Sequence, residues 1–202
     1  KSRMVICGKG KIGKSFFAIN LGVALADGKP FLNIPITRKT KTLYLQQEIS
    51  EVSLQKRFSQ VLKGWDLNTD DVDDLSCHTI GGFNIFNKDH FSQLEQWIKD
   101  GEFEVVIFDP IYKFHNIEEN SAKDVKSLLD RFDELINDLG VTVILVHHQR
   151  KQIGETSQQM RGSSVFFDWG DAYVFLNPAK SSGGAIKLSF ELRNAEAPDE
   201  LI

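Results

Sequence analysis

Two kinds of hydrophobic run alternate along this chain: short unbroken apolar stretches, and longer stretches in which apolar positions recur every three or four residues. Unbroken runs at 4–7, 42–46, 104–108 and 141–146 predict strands. The last two are apolar almost throughout, as strands buried on both faces of a parallel sheet are. Helical spacing follows at 16–25, then at Val52, Leu54, Phe58, Val61 and Leu62, where Ser50 suits an N-cap and Gly64 a stop. It recurs at 88–99, and again at Val125, Leu128, Leu129, Phe132, Leu135 and Ile136, a run that reaches Leu139 and is capped by Gly140. Asp27-Gly28-Lys29-Pro30 breaks the first helix and opens a loop to about Thr40, and the acidic stretch 66–74 reads as a solvated linker with little structure of its own. A short strand at 77–80 ends in Gly81-Gly82, and strands at 172–176 and 186–192 flank a Gly/Ser turn at 180–184. Together these predict an α/β fold: a mainly parallel central sheet with helices on both faces and an antiparallel C-terminal edge.

Between the first strand and the first helix stands Gly8-Lys9-Gly10-Lys11-Ile12-Gly13-Lys14-Ser15, with Phe16 next in line. It fits Gly, four residues, Gly-Lys-Ser/Thr in the strand, loop, helix setting that a phosphate-binding loop requires. Backbone N–H groups turned inward, with the positive end of the helix, make a cradle for phosphate oxygens. Lys14 reaches the β and γ phosphates in such a loop, and the Ser15 hydroxyl is offered to Mg²⁺. A Gly/Lys-rich surface turn is the plainer alternative, and the flanking strand and helix argue against it.

Composition narrows the class only modestly. With 202 residues and 41% hydrophobic content the chain suits a single α/β domain spanning 1–202. A net charge of -4 and a pI near 5.8 exclude a uniformly basic protein, so any nucleic-acid contact must come from local loops. Cys7 and Cys77 fall in predicted strands without metal-site or disulfide spacing and read as reduced core residues of a cytoplasmic protein. No apolar stretch approaches a membrane span, no signal peptide precedes the first strand, and the chain opens only a few residues before the phosphate loop, as a fragment of something larger would.

The polar residues with chemical promise cluster at predicted strand ends, where open α/β sheets collect ligands. Asp109, after Val105 to Phe108, has the Walker B arrangement, a carboxylate beside the Ser15 metal ligand; an aspartate capping a turn before Pro110 is the alternative. Hydrolysis needs a carboxylate to orient water, and because Pro110 follows Asp109 that role passes to Glu48 on a neighbouring strand, with Glu51 as fallback; an exposed glutamate opening a helix is the plainer alternative. His147 ends another buried strand, where a donor would contact the γ phosphate and report its loss to the following loop. Adjacent histidines in a strand point to opposite faces, so His148 is not its partner on one metal, and it reads as readily as a structural histidine. Arg150 and Lys151 in the loop after His148, together with Arg161, suit a phosphodiester backbone held without sequence reading, though solvated surface charge explains them nearly as well. Arg193, after the last strand, would supply charge to a transition state across a subunit boundary or be an ordinary surface arginine.

With these residues in place the chain resembles the RecA-like ATPases, most closely the branch of the RepA-type hexameric replicative helicases and related ATPases joined to primase modules. The resemblance rests on residues 8–15, on Leu43-Tyr44-Leu45-Gln46-Gln47-Glu48, on Val106-Ile107-Phe108-Asp109-Pro110, on Val146-His147-His148-Gln149-Arg150-Lys151, and on Met160-Arg161-Gly162-Ser163-Ser164 with Asp168 and Asp171 downstream. It implies ATP and Mg²⁺ as ligands, Glu48 as catalytic carboxylate, His147 as γ-phosphate sensor and Arg193 as a finger acting in trans. It also implies that the loops after Asp109, with Lys113, and after His148 face a central channel of a hexamer. DnaB-type ring helicases carry lysine two residues before that arginine; this chain has Glu191. The expected function is an ATP-hydrolysing motor on single-stranded DNA, a replicative helicase or the ATPase module of a replication protein, with primase or other replication proteins among the partners it would meet. The alternatives are an ATP-gated switch or scaffold that does not act on DNA and, with no Arg-rich lid in its favour, a small-molecule P-loop kinase.

Overall fold

A computed structural model describes residues 1–148, 164–179 and 184–202. Among these residues one seven-stranded sheet runs β3 (Leu75–Thr79), β2 (Thr42–Gln46), β4 (Val105–Asp109), β5 (Thr142–His148), β1 (Arg3–Gly8), β6 (Ala172–Pro178), β7 (Ile186–Leu192). All neighbours are parallel except β6 and β7, which form the expected antiparallel edge.

Strand pleating sends alternate residues to opposite faces. One face gathers Ile6, Tyr44, Ile107, Val146 and Val174 beneath α1 (Lys14–Asp27) and α2 (Glu51–Gly64). The other gathers Val5, Leu45, Phe108, Leu145 and Phe175 beneath α3 (Lys88–Asp100), α4 (Ala122–Leu139) and α5 (Ser164–Trp169). The helix starts follow local chemistry: the Ser50, Asn87 and Ser121 side chains accept backbone N–H bonds at the heads of α2, α3 and α4. At the foot of α4, Gly140 takes a left-handed φ of 72°.

Three details differ from the pattern read along the chain. Residues 66–74 are not a bare linker: a 3-10 turn at Thr69–Val72 is closed by reciprocal Asn68 and Asp71 bonds, and Val72, 2% exposed, packs with α1 and α2. The acidic residues mask the apolar Leu67 and Val72 set among them. Strand β3 starts at Leu75, two residues earlier than expected, and ends at Thr79. Helix α5 has no counterpart in the sequence pattern; its six residues are too few for a helical period to show, yet Phe166 is fully buried. Cys7 and Cys77 are free thiols, and burial pushes both up, Cys77 to about 12.

Candidate nucleotide-hydrolysis site

The phosphate loop leaves β1 at Gly8 and enters α1 at Lys14. Gly8 admits no side chain, since a Cβ there would lie 2.8 Å from Ile12 Cγ2 and 3.0 Å from the Leu176 carbonyl oxygen of β6. Gly13 caps the helix at φ 100°, a conformation that costs an L-residue, and its carbonyl accepts from the Phe17 N–H at 2.9 Å.

Beside this loop lies a cavity of about 540 Å³, walled by Lys14, Ser15 and Phe16 from α1, Glu48 from the turn after β2, Arg57 from α2, and Asp109 and His148 from β4 and β5. Lys14 is nearly buried, and its Nζ donates to the carbonyl oxygens of Gly8 at 2.9 Å and Lys9 at 2.8 Å. Nζ also lies 3.3 Å from His148 Nδ1. Burial pulls the Lys14 ammonium below its usual range, and the Asp109 charge partly restores it.

Asp109 is 3% exposed and accepts a bond from the Tyr44 hydroxyl at 2.5 Å and another from the Ser15 side chain. Burial raises the carboxyl above its usual range, and those two bonds oppose the shift. A buried carboxylate whose ionised form is costly, hydrogen-bonded to a serine hydroxyl, is a hard-oxygen pair that a small divalent cation would stabilise. Among the described residues no group of three or more His, Cys, Asp or Glu side chains is arranged to hold a metal alone.

Glu48 is exposed at the turn leaving β2, and buried Gln46 builds that turn. Its Oε1 accepts from the N–H groups of Glu48 and Ile49 at 2.8 and 2.9 Å, and its Nε2 donates to the Ile49 carbonyl oxygen at 2.7 Å. The Tyr112 hydroxyl donates to Glu48 Oε1 at 3.0 Å. Burial, then the Glu48 bond, pushes the Tyr112 phenol up to about 12, so it remains a neutral donor at ordinary pH.

The site residues read from the sequence are thus only partly brought together. Lys14, Ser15, Phe16, Glu48 and Asp109 share the cavity. Of the two histidines, the one nominated, His147, turns to the other face: it is 1% exposed and packs against Phe166 with ring centres 4.5 Å apart. His148 takes the cavity position, because β5 pairs with β1 so that Val146 and His148 share the face of Ile6 and Gly8. Arg193 follows β7, which runs against the other strands, so it lies at the opposite end of the sheet, about 20 Å of strand away from the loop. There it donates to the Asp168 carbonyl oxygen and stands 4.0 Å from Asp171. Lys113 is exposed beside Tyr112, the hydrogen-bond donor to Glu48, its Nζ 5.4 Å from that ring centre. Arg150, Lys151 and Arg161 lie outside the described residues.

Sequence reading missed Tyr44, which passes for a core aromatic, and Arg57, which passes for the polar face of α2. Arg57 brings a third cation to the cavity wall, after Lys11 and Lys14, its guanidinium carbon 5.6 Å from the Phe16 ring centre.

The sheet, the phosphate loop and the Ser15–Asp109 pair define the class: a RecA-like P-loop ATPase. A family model described as an AAA domain matches residues 1–154, and the chain belongs to that family. Among solved structures, the chain is similar to a DnaB-like replicative helicase described with its interactions with primase (TM-score 0.72, 13% identity, 98% of this chain and 54% of that one). It is also similar to a second solved structure, described as an ATPase domain (TM-score 0.69, 14% identity, 98% of this chain and 79% of that one). The chain therefore spans about half the length of that DnaB-like helicase, and the likeness is one of fold. No helix among the described residues is long and apolar enough to cross a membrane.

Proposed function

We propose that residues 1–202 form one ATP-hydrolysing motor domain that acts on single-stranded DNA, as a replicative helicase or as the ATPase module of a replication protein. One observation carries the reading: a phosphate loop, a hydrogen-bonded serine–aspartate pair and a carboxylate outside both converge on one cavity. Lys14 exchanges its carbonyl partners for the β and γ phosphate oxygens of ATP, and the loop N–H groups orient the chain of phosphates. Ser15 and Asp109 would hold Mg²⁺, which when bound neutralises charge building on the phosphoryl oxygens. Glu48 positions the attacking water, and His148, on the Lys14 side of the cavity, takes the γ-phosphate-sensing role that the sequence alone assigned to His147. Lys113 and the loop cations Arg150, Lys151 and Arg161 are the proposed contacts to the DNA backbone. Arg193 of a neighbouring copy is the proposed finger, which makes a ring, a hexamer in the branch this chain resembles, the working assembly.

The test is ATP turnover with and without single-stranded DNA, alongside oligomeric mass in the presence of a nonhydrolysable ATP analogue. Stimulation together with a ring supports the motor. Turnover that ignores DNA, with no assembly, returns the chain to an ATP-gated switch.

A further inference from the structure

Two adjacent residues leaving β2 grip two adjacent residues leaving β4. The Tyr112 hydroxyl donates to Glu48 Oε1 at 3.0 Å, and Gln47 Nε2 donates to the Lys113 carbonyl oxygen, also at 3.0 Å. Gln47 is itself fixed from a third strand end: Nε2 donates to the Phe83 carbonyl oxygen at 3.1 Å and Oε1 accepts from the Phe83 N–H at 2.9 Å. These contacts begin where the β2–β4 ladder stops, at Gln46 opposite Asp109, so they are additional to what the sheet needs. The Tyr112 ring meets His148 edge-on with centres 5.2 Å apart, and Lys113 Nζ stands 5.4 Å from the same ring centre.

We propose that Tyr112 and Gln47 are positioning residues that make the placement of Glu48 depend on the turn carrying Lys113, so that an anionic strand held at Lys113 is felt at the hydrolytic carboxylate. The proposal deepens the motor reading and rests on it for the identity of the strand. An exposed glutamate samples several rotamers. A phenol fixed on one of its oxygens narrows that set, and a charge-assisted bond of this kind leaves the second oxygen for water. Residues 111–113 form one 3-10 turn seated on buried Ile111, so a backbone shift at Lys113 carries Tyr112 with it.

The discriminating variant is Tyr112→Phe, which keeps the ring and its contacts and deletes only the hydroxyl. It should lower kcat for Mg-ATP about tenfold with KM and melting temperature unchanged, as loss of one bond to a charged group predicts. Gln47→Leu should cut the stimulation by oligo(dT) toward none. A second readout needs no turnover: Mg²⁺ with adenylyl imidodiphosphate should slow hydrogen exchange at residues 111–121 in the parent chain. In both variants that response should be lost while analogue affinity stays within about twofold of the parent. A Tyr112→Phe chain with parental or raised kcat, or with the parental exchange response, overturns the proposal. If oligo(dT) fails to stimulate the parent chain, the motor reading falls, while basal kcat and exchange still decide the tether.

Discussion

His147 and His148 are the same residue type, one peptide bond apart, at the end of one strand, and they have nothing else in common. His148 faces α1 and stands 3.3 Å from the phosphate-loop lysine; His147 faces α5 and is packed against Phe166. The same split repeats across the sheet. Tyr44, Gln46 and Asp109 lie on the cavity face and carry hydrogen bonds, while Leu45 and Phe108 between them lie in the opposite core. At these strand ends pleating thus deals chemistry to one face and packing to the other, residue by residue.

That comparison is broken or sharpened by substitution. The largest effect is expected at the cavity face: Lys14→Ala should abolish ATP turnover, and Glu48→Gln should retain ATP binding while lowering turnover by about 10²–10⁴-fold. Full hydrolysis by the Glu48 variant, measured as phosphate release, would remove it from its assigned role. The histidine pair comes next. His148→Ala should lower kcat about tenfold or more with the melting temperature kept, whereas His147→Ala should cost about 1–3 kcal/mol of stability and leave kcat per folded molecule near the parent value. Reversal of those two outcomes would put the sensor back on His147. The smallest effect lies outside the cavity, at His115, whose side chain is 3% exposed and which burial pulls down to about 4. The folded state resists the proton that the unfolded chain accepts near pH 6.5, so the stability involved is complete above that pH and is lost as pH falls toward about 4. Urea titrations should show an acid-side loss of about 1–3 kcal/mol that His115→Phe flattens.

Positions written in local sequence were legible. The phosphate loop identifies itself by spacing, and Asp109 by the apolar strand it closes. Roles that depend on which face a residue takes were not. Placing His148 rather than His147 on the cavity wall requires the β1–β5 register, Val146 opposite Ile6, and nothing in residues 141–148 announces it. Tyr44 was hidden because a buried tyrosine in an apolar strand satisfies every rule for core, and only its hydroxyl, 2.5 Å from Asp109, shows otherwise. Arg193 follows β7, the antiparallel edge strand read from the sequence, and the register places it at the far end of the sheet from the phosphate loop.

That reversal makes the chain polar, with its phosphate loop at one end and Arg193 at the other. Copies that lent Arg193 to one another's phosphate loops would stack head to tail, each giving at one side and receiving at the other. Such a contact is heterologous: it never completes itself in a pair, it closes only when the rotation per copy divides a full turn, and otherwise it winds on as an open spiral. Whether the end product is a ring or a filament would then rest on one interface angle.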